Sequence, residues 1–362
     1  MNSVFERAGS SWSKGIGAEA DIVIASRVRL ARNLSGLPFP YRMNQNEAQE
    51  LLGKAVAAVK ALAQETKCRY QLFRLEDVAH LDRMILVEKH LISPELAKGL
   101  PGRAVAVSED ESVSIMINEE DHLRIQCLLP AFQLTEAWQL ASKIDDLLEE
   151  RLPLAFDADF GYLTACPTNT GCGLRASVML HLPALALSKQ LNGVFSALPR
   201  MGMTVRGIYG EGSEAHGNLY QISNQVTLGL AEQEIIERLQ LAVKQVIDKE
   251  RRARAWLQRE RSDFFFDQIG RSYGILKNCR VLSAQEMMER LSLLRLGMDM
   301  GVLTPLSGKE LNELMVMGQP GFLQKRAGGE LSPQMSCSRR AGVMRENLKN
   351  VREVHNDDAK VD

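Results

Sequence analysis

The run Asp21-Ile-Val-Ile-Ala-Ser-Arg-Val-Arg-Leu-Ala-Arg32 constrains the fold more tightly than any other part of this chain. Its β-branched and aliphatic residues read as a strand. Successive side chains on a strand point to opposite faces, so Arg27 and Arg29 share one face while Val28 and Leu30 share the other. Taken alone, the segment fits a solvated edge strand as well as it fits a fork for anionic oxygens. Arginine serves the second purpose better than lysine because its guanidinium is planar and bidentate.

The same choice recurs downstream. Val113, Ile115 and Ile117 alternate, then Leu123, Ile125 and Cys127 alternate again, so two strands flank an acidic turn. Arg124 and Gln126 project from the face opposite the second apolar row. Glu119, Glu120 and Asp121 repel one another unless a cation sits among them; the alternative is a solvated hairpin tip. The stretch Gly161–Pro183 holds three glycines, a Cys166-Pro167 step and an Asn169-Thr170 pair. Such a loop can aim backbone N–H groups at an anion, or it can simply turn. Arg175 follows, in a run that reads as a strand or a helix start. Met203–Glu214 is a strand entering a glycine-rich loop with Arg206, Glu211 and Glu214, and Asn218–Asn224 returns as a strand.

Helical patterns fill the rest. Asn44 with Glu47 forms a capping-box start, followed by Ala48, Leu51, Leu52, Ala55, Val56 and Val59 at helical spacing. Further helices are expected over Gln133–Glu150, from Pro183 to about Leu198, and from Ala231, where Arg251-Arg-Ala-Arg254 reads as a solvated basic run. Ser283–Met300, Ser307–Gly318 and a segment around Ser336–Val351 complete the set. His90 lies before a Ser93-Pro94 turn signal, as a ligand contact or a satisfied structural histidine. With no βαβ period, the expected fold is α+β: a mostly antiparallel sheet flanked by helices, then an all-helical C-terminal domain. The expected boundaries are 1–20 for an N-terminal segment, 21–254 for the sheet domain and 255–362 for the helical one, with a frayed end.

Composition limits the function. The 362 residues carry a net charge of −1, so no global basic field draws nucleic acid or anionic lipid, and any anion site is local. No window approaches the roughly 18 apolar residues of a membrane span, and no signal-peptide core is present, so a cytoplasmic protein is expected. Six cysteines (Cys68, Cys127, Cys166, Cys172, Cys279, Cys337) lack Cys-x-x-Cys spacing, which argues against zinc and disulfides and for small buried hydrophobes. Arg27, Arg29, Arg124, Arg175 and Arg206 on one cleft would repel one another without a polyanion, and a nucleoside triphosphate is the simplest one. No Gly-x-x-x-x-Gly-Lys-Ser/Thr loop occurs, and the Asp159-Phe160-Gly161 tripeptide has no His-Arg-Asp catalytic loop to accompany it, which argues against the two commonest phosphoryl-transfer designs.

At these residues the chain resembles a family. Ser26–Arg29, Asn118–Arg124, Cys166–Asn169 with Arg175–Ser177, and Arg206–Glu211 resemble, in order, the catalytic domain of the phosphagen (guanidino) kinases over about residues 21–252. The likeness is closer to the branch that phosphorylates arginine side chains in proteins. That branch is expected to do without the separate N-terminal helical domain of creatine and arginine kinases, and Leu311-Asn-Glu-Leu314 and Gln319-Pro-Gly-Phe-Leu323 are among its features. The resemblance implies a glutamine-synthetase-like catalytic fold, with ATP and Mg2+ as cofactors and no direct protein ligand to the metal. It places Arg27, Arg29, Arg124, Arg175 and Arg206 on the ATP phosphates, with Ser26, Val28, Ala176, Ser177, Val178, Met179, Gly207, Ile208, Tyr209, Gly210 and Glu211 in the surrounding motifs and His90 near the nucleotide.

By the same resemblance Glu120 aligns the acceptor guanidinium and takes its proton, Glu119 approaches the magnesium shell through water, and Glu211 is a second guanidinium partner. Cys166 lies beside the reacting nitrogen, in an arginine-rich setting that favours thiolate. The loop departs from the family at Thr170-Gly-Cys172, where an apolar residue and then Gly-Thr are usual. The C-terminal phosphoarginine motif Arg-Asp-x-x-Arg-Ala reads Ser336-Cys-Ser-Arg-Arg-Ala341 here, so Arg339 and Arg340 are what remains of that pocket. The implied partners are protein substrates with exposed arginine, a zinc-binding activator protein, a Clp ATPase and a second copy of the chain, in stress-related protein quality control. A kinase for a free guanidino metabolite, or a catalytically silent phosphoarginine adaptor, would share most of these residues.

Overall fold

The computed structural model describes residues 4–207 and 216–354. Along the chain come β1 (Val23–Arg32), α1 (Gln45–Thr66), β2 (Tyr70–Arg74), α2 (His80–Glu88), β3 (Ala104–Ser108), β4 (Val113–Ile117), β5 (Leu123–Pro130) and α3 (Leu134–Glu149). They are followed by β6 (Phe156–Asp157), β7 (Gly161–Tyr162), β8 (Leu174–His181), α4 (Pro183–Leu187), α5 (Leu191–Phe195), β9 (Met203–Gly207) and β10 (Leu219–Asn224). The C-terminal part holds α6 (Glu232–Glu260), α7 (Ser262–Asn278), α8 (Ala284–Asp299), β11 (Leu303–Thr304), α9 (Gly308–Met317), α10 (Pro320–Ala327), α11 (Pro333–Asn347) and β12 (Arg352–Glu353).

Eight strands form one sheet in the order β2-β3-β4-β5-β1-β8-β10-β9, with every neighbouring pair antiparallel. The strand bearing Arg27 and Arg29 is interior, between β5 and β8, which removes the solvated-edge alternative. Register then decides which face each side chain takes, because directly opposed residues share a face. Arg29 sits opposite Gln126 on one side and Arg175 on the other, and Arg27 sits opposite Leu128 and Ser177. Arg206 faces Gln221, which in turn faces Met179. The guanidinium groups therefore gather on one face as a consequence of period-two alternation.

Val28, Ile125, Cys127, Ala176, Val178 and Ile222 occupy the other face, fully buried against α3 and α6. A smaller apolar cluster of Phe73, Leu86, Leu91, Leu96, Val105, Val107 and Met116 covers the arginine-bearing face over β2 to β4. It lies under α2 and the turn that follows. That cover stops at β5, leaving the face open over β1, β8, β10 and β9.

Arg175 is on a strand, the first of the two readings open for it. Other expectations change: the Pro183–Leu198 segment breaks into two short helices, α4 and α5. Helix α6 runs unbroken past residue 254, and the C-terminal helices are accompanied by the two-residue pair β11–β12. Arg254 is not solvated: it is buried against Glu250, with Asp21 and Asp299 within ion-pair reach, while Arg251 and Arg252 lie outside. Only Cys127 is fully buried; the other five cysteines are partly accessible, and all six are free thiols. No helix among the described residues is long and apolar enough to cross a membrane.

Arg32 closes β1 and ties the sheet to α3. Its Nε donates to both Asp145 oxygens at 3.0 Å and its Nη2 to Oδ2 at 2.6 Å, while the guanidinium lies 3.6 Å over the Tyr162 ring. Burial pushes the Asp145 carboxyl up and Arg32 opposes that shift. Removing one partner strands a buried charge, so Asp145→Ala is expected to lose about 3–5 kcal/mol in urea unfolding. A loss below about 1 kcal/mol, the range of exposed pairs, would contradict this account.

Candidate active site

The open part of the sheet face floors a cavity of about 360 Å3. Arg27, Arg29, Arg124, Arg175 and Arg206 all line it, together with His90, Glu120 and Cys166. Neutral side chains on the same floor hold the guanidinium groups apart. Arg27 donates from Nη2 to Gln221 Oε1 at 2.8 Å and from Nε to Ser177 Oγ at 3.4 Å, and Arg175 donates from Nη2 to Ser223 Oγ at 3.3 Å. Arg29 Nε is buried without a hydrogen-bond partner among the described residues.

The electrostatic consequence is uniform in sign. Burial, then Arg124 and Arg175, lower Arg27 to about 10. Burial, then Arg27, Arg124 and Arg175, hold Arg29 well below its ordinary value, with Glu119 alone opposing. Each shift records a preference for fewer positive charges or for an added negative one. An anion placed among these guanidinium groups would satisfy that preference.

The acidic hairpin faces this floor and is not a solvated tip. Asn118 sits in the left-handed region at φ 58°, with its amide donating to Ala48 O and Gly102 O. Asp121 is buried; its Oδ1 accepts from Asn33 Nδ2 and from Ala165 N, both at 2.7 Å. His122 Nδ1 accepts from Leu34 N, which leaves the proton on Nε2 to donate to Pro38 O at 2.8 Å. Arg124 is the cation that relieves two of the three carboxylates, paired to Glu119 at 2.5 Å and to Glu120 at 2.7 Å. Glu119 also accepts from Ser93 Oγ at 2.6 Å, whereas the Glu120 side chain is 42% exposed. Burial raises the Glu120 carboxyl, Asp121 and Glu119 add to that, and Arg124 opposes it.

Asp121 also fixes the neighbouring loop through Ala165, which sets Cys166 on the cavity wall with Sγ 3.0 Å from Thr168 Oγ1. The loop N–H groups of Asn169, Thr170 and Gly171 bond to Cys166 O, Pro167 O and Tyr162 O, so guanidinium groups, not these N–H groups, supply the positive field. Gly171 is required by close approach: a Cβ would meet Thr227 O at 2.6 Å, at φ 118°. His90 follows α2 at φ 59°, its ring edge-on to Trp12 at 5.4 Å. Burial and Arg27 push its imidazole down to about 3, so it lines the cavity as a neutral group.

The remaining expected positions fall elsewhere. Ser26, Val28, Ala176 and Val178 point to the opposite face, and Ser26 Oγ bonds Ala131 O and Gln133 N. Ser177 and Met179 share the arginine face, and Gly207 ends β9. Ile208, Tyr209, Gly210 and Glu211 lie outside the described residues. On α11, Arg339 is exposed and Arg340 is buried, donating to Gly318 O and Leu282 O. Neither lines the cavity. Sequence reasoning missed Gln221, Ser223, Ser93 and Asn33. The first two were detectable, since they alternate with Ile222 on a strand whose other face is apolar.

Residues 51–253 match the family model described as ATP:guanido phosphotransferase, C-terminal catalytic domain, and residues 262–359 match the protein-arginine kinase McsB C-terminal domain. The protein-arginine kinase of Symbiobacterium thermophilum is 51% identical over 348 residues, covering 96% of this chain and 99% of that protein. That of Bacillus subtilis is 48% identical over 348 residues, covering 96% of each. The chain belongs to the protein-arginine kinases, within the ATP:guanido phosphotransferase family. Among solved structures, the duplicated taurocyamine kinase of Schistosoma mansoni aligns with a TM-score of 0.57 and 26% identity, over 70% of this chain and 37% of that one. Lombricine kinase aligns at a TM-score of 0.57 and 23% identity, over 68% of this chain and 72% of that one, a likeness of fold. This protein-arginine kinase thus carries its arginine floor on the sheet of the phosphagen kinases.

Arg29 and Arg175 oppose each other across β1 and β8, an arrangement that destabilises a sheet by up to about 1 kcal/mol. Arg29→Met is therefore expected to raise the melting temperature of the nucleotide-free protein and to abolish the upward shift that ATP produces. Calorimetry with and without ATP checks both; a lower melting point with an intact ATP shift would contradict the reading.

Proposed function

We propose that the five-arginine floor binds the phosphates of ATP and that Glu120 presents an arginine side chain of a protein acceptor to the terminal phosphoryl group. The observation that carries this reading is the meeting, on one cavity, of five guanidinium groups with an accessible carboxylate of raised pKa and a thiol. A guanidinium holds its charge to a pKa above about 12 and has no free lone pair, so it attacks only as a carboxylate fixes its plane and takes a proton. Glu120 supplies that group, and its raised pKa makes it the stronger base. The transferred phosphoryl spreads charge over its oxygens, which Arg27, Arg29, Arg124, Arg175 and Arg206 stabilise, while in-line positioning supplies the rest.

Mg2+ fits this site as a companion of the nucleotide. Phosphate oxygens and water would carry most of its coordination, with Glu120 on the cavity wall and Glu119 beside it in the hairpin as the carboxylates on hand. When bound, the ion neutralises charge developing on the phosphates. Glu119 is already committed to Ser93 and Arg124, which suits an outer contact through water. Glu211 is assigned as a second guanidinium partner and Cys166 as the neighbour of the reacting nitrogen. The phosphorylated proteins are substrates for a Clp ATPase in cytoplasmic quality control, with a zinc-binding activator and a homodimer through the helical region. These roles follow from the resemblance. Arg340 spends its donors on Gly318 and Leu282 carbonyls, which leaves a phosphoarginine pocket on α11 the weakest of them.

Incubation with ATP, Mg2+ and casein, followed by mass spectrometry for acid-labile phosphoarginine, tests the reading. The parent protein is expected to yield phosphoarginine. Glu120→Ala is expected to lose at least about 100-fold in turnover, the scale of general acid–base catalysis, while its Kd for ATP stays within threefold. No phosphoarginine on any acceptor, or an equal fall in turnover and ATP affinity, would contradict it.

A further inference from the structure

A second cavity, of about 780 Å3, adjoins the first across the acidic hairpin. Glu120 lines both, and Ala165 on the second wall is the chain neighbour of Cys166 on the first. The two have opposite electrostatic character. None of the five floor arginines reaches the second cavity; its charged groups are Glu95, Glu119, Glu120 and Arg103, and Arg103 is paired to Glu95 at 3.4 Å. An anion is drawn to the first cavity and a cation to the second, with Glu120 the carboxylate at which they meet.

The rest of the second cavity is built from surface that packing does not require. Tyr41 is 69% exposed, its ring stacked on Phe39 at 6.3 Å with Arg42 above it, and Leu100 across the groove is 49% exposed. Pro40 and Pro101 stiffen the two walls beside them. The N-terminus of α1, which also borders the groove, is closed by the Asn44–Glu47 capping box, so it does not solicit an anion there. A single guanidinium occupies only the Glu120 end. The remaining apolar length calls for the residues on either side of it.

We propose that this groove receives the extended polypeptide segment flanking the acceptor arginine, with Tyr41 and Leu100 setting preference for protein acceptors over free arginine. The proposal rests on the catalytic reading above and adds the surface that selects the substrate. Tyr41 and Leu100 touch neither the arginine floor nor the reacting groups, and both are exposed, so their replacement preserves the fold.

The test compares the parent with Tyr41→Ala, Leu100→Ser double-substituted protein, using reduced, unfolded casein and free L-arginine as acceptors. The expected result is a fall of about tenfold in the ratio of kcat/KM for casein to kcat/KM for arginine, carried by the KM for casein; any fall of threefold or more supports the groove. A smaller change, including an equal loss on both acceptors, overturns it. If the parent uses casein but not free arginine, the KM for casein alone is the readout, where a rise of threefold or more in the double-substituted protein supports the groove and a smaller change overturns it. A parent that phosphorylates free arginine but not casein overturns the groove and leaves the catalytic reading standing. Phosphorylation of neither overturns the catalytic reading itself.

Discussion

Like charges held together on one face of a β-sheet oppose folding, and this chain places five guanidinium groups around a single cavity. The arrangement persists because it is a by-product of strand alternation. Once Val28, Ala176 and Ile125 are buried against α3 and α6, register forces Arg27, Arg29, Arg124 and Arg175 to the other side. Hydrophobic burial on one face thus holds electrostatic strain on the other, and an anion relieves that strain.

The surroundings are arranged so that only part of the strain is relieved internally. Glu119 neutralises Arg124 and reaches Arg29 electrostatically, but Ser93 holds it in place. Gln221, Ser177 and Ser223 orient arginines without neutralising them. His90, kept neutral by burial and by Arg27, adds no charge of its own. Asp121 is spent on Asn33 and Ala165, which locks the hairpin to the Cys166 loop and keeps Glu120 as the accessible carboxylate on the rim. The resulting polarity, cationic on one side of Glu120 and anionic on the other, matches the charges of a nucleotide and an arginine.

Much of this was legible in the sequence because alternation is local. The arginine rows on β1, β5, β8 and β9 could be read residue by residue, as could the apolar rows beneath them. The four motifs in order gave the family. What remained hidden depended on partners distant in the chain. Whether β1 was central or an edge required knowing that β5 and β8 flank it, more than ninety residues away along the chain in each case. Arg254 looked solvated because its basic neighbours are, yet Glu250 one turn earlier and Asp21 and Asp299 far off bury it. Asp121 seemed one more member of an acidic turn until Asn33 and Ala165 claimed it. The glycine-rich loop could be read as an anion cradle or as a turn, and the N–H groups of Asn169, Thr170 and Gly171 close on carbonyls of the same stretch.

The central claim is that the cavity is an anion site whose occupation stabilises the fold. Thermal unfolding of the protein titrated with inorganic tripolyphosphate, without magnesium or acceptor and at constant ionic strength, tests it most directly. The account predicts a melting temperature that climbs with the logarithm of tripolyphosphate concentration, reaching about 2.7 kcal/mol of stabilisation at a hundredfold excess over Kd. A melting temperature indifferent to tripolyphosphate, or one that responds equally to chloride, would contradict it.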